Sequence, residues 1–133
     1  MSSNPVLLYV EDDTLSREVM NMLVVRRLGF DLTTFEDSQE FMTRLEALPT
    51  KPDMILLDIH MRPHNGFAVL DMLRNHPDYA KTKVIAVTAS VMNEEMALLE
   101  RSGFNGAIAK PIDQMFFSEF IDRSLQGEEI WHV

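Results

Sequence analysis

The chain has 133 residues, 46% of them hydrophobic and 25% charged, which suits one globular domain and excludes disorder, collagen or coiled coil as its main state. With 21 acidic against 12 basic residues the net charge is -9, so no direct binding to nucleic acid or to an anionic membrane surface is expected. There is no cysteine, which removes disulfides, thiol nucleophiles and cysteine–zinc sites.

The first apolar run, Val6 to Val10, is continuous rather than alternating, as in a parallel strand buried on both faces, and is too short to span a bilayer. The segment before it, Met1-Ser2-Ser3-Asn4-Pro5, lacks the basic start of a secretory signal, and a cytoplasmic protein is expected. Leu15, Val19, Met22, Leu23 and Arg26 fall at helical spacing, and Gly29 stops that helix. Asp31 to Phe35 alternates and reads as an edge strand. Asp37 with Glu40 has the form of a capping box before Phe41, Leu45 and Leu48, and Pro49 ends that helix. Met54 to Leu57 is a second buried strand. Gly66 to Asn75 is a helix with Phe67, Leu70 and Leu73 on one face. Val84 to Val87 is the next strand. Asn93 is placed to cap a helix over Glu94 to Ser102, closed by Gly103. Ala107 to Ala109 is a short strand, and Asp113 caps a last helix striped by Phe116, Phe117, Phe120, Ile121 and Leu125. The segment from Gly127 to Val133, which holds the lone tryptophan Trp131, shows no pattern. Five strands alternating with five helices imply right-handed crossovers and an open α/β fold, a parallel sheet covered on both faces.

In such sheets ligands bind beyond the carboxyl ends of the strands. The first run is followed by Glu11, Asp12 and Asp13, the third strand by Asp58, the fourth by Thr88 and the fifth by Lys110. Each alone is an ordinary boundary residue. Together they place several carboxylates, a hydroxyl and an ammonium on one edge. Clustered carboxylates repel, and a hard divalent cation with oxygen ligands relieves the repulsion. Magnesium suits a site with few protein ligands shared with phosphate, and Lys110 and Thr88 can hold phosphoryl oxygens. A carboxylate can then serve as nucleophile and form an acyl phosphate.

At these residues the chain resembles the receiver domain of two-component response regulators. The matching segments are Val10-Glu11-Asp12-Asp13, Leu56-Leu57-Asp58-Ile59-His60-Met61, Asn65-Gly66, Val87-Thr88-Ala89 and Lys110-Pro111. The resemblance implies a flavodoxin-like, doubly wound, five-stranded sheet of order 2-1-3-4-5 with five helices, a receiver unit over residues 5–126 and a tail over 127–133. It implies that Asp58 accepts the phosphoryl group. Asp12 and Asp58 would ligate Mg2+ directly, Glu11 mostly through water, and His60 through its backbone carbonyl. Thr88 and Lys110 would contact the phosphoryl oxygens, Ala89 would leave the approach open, and Lys110–Pro111 would be cis. The implied partners are a sensor histidine kinase or histidine phosphotransfer protein and a downstream protein target, with the chain monomeric or weakly dimeric. It would not be an enzyme beyond its own phosphoryl transfer and autodephosphorylation.

Asp13 reads as a helix-start acid favoured by the helix dipole, with metal contact the other reading. His60 could offer its ring instead of its carbonyl, and His64, His76 and His132 read as solvated. Two residues depart from the family pattern. Arg62 stands where Pro is usual, with Pro63 one residue later. Ala107 stands where an aromatic ring usually turns inward as the threonine moves. These departures motivate an alternative, a binding module that has the fold but does not depend on phosphorylation. A magnesium-dependent phosphatase is a third reading, disfavoured because His60 stands where its general-acid aspartate would be.

Overall fold

Continuous apolar runs become strands because only a strand covered on both faces buries every side chain in turn. The computed structural model describes residues 4–90 and 92–132; Met1, Ser2 and Ser3 of the N-terminal segment and Val133 of the tail lie outside the described residues. Strand and helix alternate as β1 (Val6–Val10), α1 (Thr14–Asn21, continued by a π-helical segment Met22–Arg27), β2 (Asp31–Phe35), α2 (Phe41–Glu46), β3 (Met54–Asp58), α3 (Gly66–Arg74), β4 (Lys83–Thr88), α4 (Asn93–Ser102), β5 (Gly106–Ala109), α5 (Phe117–Leu125) and β6 (Ile130–His132). All pairings are parallel, and the sheet order is 2-1-3-4-5-6.

The five-stranded expectation is therefore corrected to six. The order 2-1-3-4-5 holds, and Ile130-Trp131-His132 joins the free edge of β5. The reason is the edge itself, a row of backbone donors and acceptors that need partners. Three residues are too few to show a period in sequence.

Two cores result. Leu8, Val10, Leu57, Val84 and Ala86 face α2, α3 and α4 through Phe41, Leu45, Val69, Leu70, Leu73 and Leu99. Leu7, Tyr9, Leu56, Ile85, Val87 and Ile108 face α1 and α5 through Met20, Leu23, Phe117, Phe120 and Ile121. The chain passes from β1 outward to β2 and then returns across β1 to β3. The switch point is the crevice between the carboxyl ends of β1 and β3, where ligands of open α/β sheets bind.

Local signals act partly as expected. Gly29 (φ +71°) ends the first helix, and Phe30 N donates back to Val24 O at 3.0 Å, the bond pattern of a left-handed cap. The Asp37–Glu40 capping box does not form. Arg44 Nη1 takes Asp37 Oδ1 at 2.8 Å while its guanidinium lies 4.3 Å from the Phe35 ring centre, and Glu40 sits at φ +48° without a side-chain cap bond. Asn93 is the first residue of α4 rather than its cap. Asp113 Oδ1 accepts from Met115 N and Phe116 N, so it caps the turn that leads into α5. His76 and His132 are not free in solvent. They meet Glu46 at 2.9 Å and Asp113 at 3.2 Å.

Candidate phosphoacceptor and metal site

Strand alternation brings the acidic residues to one edge. Glu11, directly after β1, is fully buried, Asp58 closing β3 is 5% exposed, and Asp12 faces solvent. One carboxylate oxygen from each lies within 4.8 Å of the others. Lys110 reaches in from the end of β5, with Nζ 2.6 Å from Glu11 Oε1 and 3.5 Å from Asp58 Oδ1. Three carboxylates face one ammonium, and the excess negative charge with open oxygen ligands fits a hard divalent cation. Glu11, Asp12 and Asp58 could thus bind a metal.

The backbone fixes these side chains. Arg17 of α1 donates Nη1 to Glu11 O at 2.7 Å, and Lys110 N donates to Thr88 O at 2.8 Å. Gly66 N donates to Ile59 O at 3.0 Å, and Asn65 Oδ1 caps α3 by accepting from Ala68 N at 2.9 Å. A Cβ on Gly66 would meet Ile59 Cα at 3.0 Å and Asp58 O at 3.1 Å. The start of α3 therefore rests on the backbone of the central aspartate. Gly66→Ala is expected to destabilise the fold by about 1–3 kcal/mol in denaturant unfolding, as overpacking against backbone does; an unchanged midpoint would contradict this placement.

Burial pushes the Glu11 carboxyl up, as does the nearby Asp58 charge, against hydrogen bonds from Lys110 and Tyr9 that favour ionisation. Burial alone would lower the Lys110 ammonium, but its hydrogen bond to Glu11 and the Asp58 charge outweigh that and raise it. The ammonium therefore stays charged at neutral pH.

Tyr9 is a site residue that the motifs do not reveal. It is fully buried, and its hydroxyl donates to Glu11 Oε1 at 2.6 Å, the same oxygen that Lys110 holds. Glu11 Oε2 accepts a long contact from Asp13 N at 3.4 Å. Tyr9 and Glu11 are two residues apart on one face of the strand, a period that could have revealed the pair. Tyr9→Phe is expected to cost about 1–2 kcal/mol of stability, since a buried carboxylate loses a donor; equal urea midpoints for the two proteins would refute that role.

The other expected residues lie as follows. Thr88 is buried at the end of β4, and its Oγ1 accepts from Ser90 N at 3.0 Å. His60 N donates to Asp58 Oδ1 at 3.3 Å, and its side chain is exposed. Asp13 accepts from Ser16 N at 2.8 Å and so caps α1. Arg62 is exposed, with no ion pair to Asp58 among the described residues. Its loop is clamped by buried Ser38, whose hydroxyl meets His64 O at 2.6 Å and His64 N at 2.8 Å. Both Arg62–Pro63 and Lys110–Pro111 are cis.

Comparison with known proteins agrees. The family model of the response regulator receiver domain matches residues 7–122. RcaC of Microchaete diplosiphon is 28% identical over 96% of this chain and 19% of its own length. A probable C4-dicarboxylate response regulator, DctR, from Halalkalibacterium halodurans is 32% identical over 84% of this chain and 48% of its own length. The chain thus spans about half or less of these two relatives. The receiver domain of a sensor histidine kinase from Pseudomonas aeruginosa PAO1, whose structure has a magnesium ion coordinated in the active site cleft, aligns with a TM-score of 0.80 at 22% identity, covering 93% of this chain and 99% of that one. The chain belongs to the response regulator receiver domain family and is a signalling domain of two-component systems.

Proposed function

We propose that Asp58 is the phosphoacceptor of this receiver and that Mg2+ is its metal. The observation that carries the reading is the convergence of Glu11, Asp12 and Asp58 within 4.8 Å, with Lys110 beside two of them, at the sheet's switch point. Asp12 and Asp58 would hold the ion directly, Glu11 through water, and His60 by its carbonyl. When bound, Mg2+ neutralises developing negative charge on phosphoryl oxygens.

The chain's own groups do the rest. An Asp58 carboxylate oxygen attacks the phosphorus of a phosphohistidine. The O–P bond forms as the P–N bond breaks, and the electron pair stays with the donor's imidazole nitrogen. Lys110 holds one phosphoryl oxygen, and Thr88 donates its hydroxyl to another after leaving Ser90. The small Ala89 leaves the approach open. The donor is a histidine kinase or a histidine phosphotransfer protein. It docks over a cleft of about 360 Å3 between α1 and the β5–α5 turn, lined by Leu15, Val19, Ala89, Lys110 and Ile112. Leu15 is 66% exposed there, a large apolar side chain offered to solvent. In autodephosphorylation water attacks the phosphorus, the O–P bond to Asp58 breaks, and inorganic phosphate leaves with the carboxylate restored. Residues 5–126 carry the receiver unit, and β6 from the segment after it adds a sixth strand to its sheet; the unit works in the cytoplasm, where kinases have nucleotide. No helix among the described residues is long and apolar enough to cross a membrane.

Bound phosphate shifts a two-state equilibrium and so changes affinity for a downstream protein. Ala107 keeps a second reading open, a binding module that ignores phosphate. Incubation with acetyl phosphate and Mg2+, read by intact mass, separates the two. Addition of one phosphoryl group, absent when Mg2+ is chelated beforehand, is expected; no addition at saturating donor would leave only the second reading.

A further inference from the structure

The sixth strand brings an aromatic ring beside Ala107, the place where this chain lacks the ring of the family pattern. Trp131 pairs in register with Ala107, and Ala107 with Ala86. All three lie on the α2–α3–α4 side of the sheet, where Trp131 packs against the core. Thr88 and Ala109 occupy the next row on the same face, by strand alternation. Two strand spacings and two residues of rise put the Trp131 backbone about 12 Å from that of Thr88. Only alanines stand between them on β5, so no large side chain of that strand separates the indole from the Thr88 row.

This strand is built into the fold. Gly106 adopts φ +154° and lets Ile130 approach so closely that a Cβ would lie 2.6 Å from Ile130 O. His132 is pinned by Asp113 at 3.2 Å and stacks on Phe116 with ring centres 4.3 Å apart. Ile130 packs into the α1–α5 core. Both cores therefore grip β6.

We propose that Trp131 is a positioning residue for the switch. Packed beside Ala107, it supports the arrangement in which the Thr88 hydroxyl bonds to Ser90. When Thr88 turns toward a phosphoryl group on Asp58, the indole repacks, and β6 carries the phosphorylation state to the surface between α4 and α5. The inference deepens the receiver reading and rests on it.

Trp131 is the only tryptophan, so its emission reports the event directly. The full chain is titrated with Mg2+ alone and then with Mg2+ plus beryllofluoride, which stands in for the phosphoryl group. Emission is expected to stay constant in the first titration and to change in the second, with no change in Asp58→Asn. By linkage, Trp131→Ala is expected to shift the apparent beryllofluoride affinity about five-fold, whereas Trp131→Phe stays near wild type. Unchanged wild-type emission alongside phosphoryl uptake seen by mass overturns the proposal and leaves the receiver reading intact, whether or not Trp131→Ala folds. Absence of both uptake and beryllofluoride binding overturns the receiver reading and this inference with it.

Discussion

Asp58→Asn is expected to end phosphoryl uptake and, without divalent metal, to raise the stability of the protein. Asp58 feels Glu11 and Asp12 across no more than 4.8 Å and Lys110 across 3.5 Å. At an effective dielectric near 20 the Glu11 repulsion is at least about 3.5 kcal/mol and the Lys110 attraction about 4.7 kcal/mol. The Asp12 repulsion is smaller, because that side chain faces solvent. Attraction and repulsion nearly cancel, which leaves the desolvation of the buried Asp58 charge uncompensated. Removing that charge should therefore raise the metal-free melting temperature by about 3–6 °C for a domain this size. Adding Mg2+ should stabilise the wild type and close the gap. A lower melting temperature for the variant in chelator would mean that the site is not electrostatically loaded.

Lys110→Ala is expected to act with the opposite sign. Among the described residues the ammonium is the cation paired with the carboxylate of fully buried Glu11. Removing a partner from a buried pair costs about 3–5 kcal/mol, and the partial exposure of Lys110 reduces that to roughly 2–3 kcal/mol. Its loss also leaves a transferring phosphoryl group without one of its charge partners. Uptake should slow by about 100- to 1,000-fold, as when a preorganised donor is removed. Lys110→Arg should rescue stability better than rate, because a planar fork does not reproduce a point charge. Initial rates by mass and urea midpoints check both parts; a rate within two-fold of wild type for the alanine variant would contradict the assignment.

These opposite effects come from residues separated widely in sequence, yet much of the site was legible there. Val6–Val10 and Met54–Leu57 announce buried strands because each is apolar throughout, and the polar residues that follow them land on one edge of any parallel sheet. Tyr9 was hidden because it lies inside such a run and reads as core, which it also is; only its hydroxyl, meeting Glu11 two residues on, gives it a second role. The Asp37–Glu40 pattern misled because Arg44, seven residues along, competes for the Asp37 carboxylate. The sixth strand was illegible for a different reason. Ile130-Trp131-His132 is set by the β5 edge, by Gly106 and by Asp113, all distant in sequence, and no local periodicity marks it. The first helix shows its start and stop at Asp13 and Gly29, but its π-helical second half left no sequence signal.

The central claim is that one aspartyl oxygen, beside a divalent cation, takes the phosphorus. The most direct measurement is to phosphorylate the chain with acetyl phosphate and Mg2+, trap the acyl phosphate by borohydride reduction, and locate the reduced residue by peptide mass spectrometry. A single trapped site at Asp58, absent when Mg2+ is chelated, is predicted. Trapping at Asp12 or Asp13, or labelling indifferent to the metal, would contradict the account.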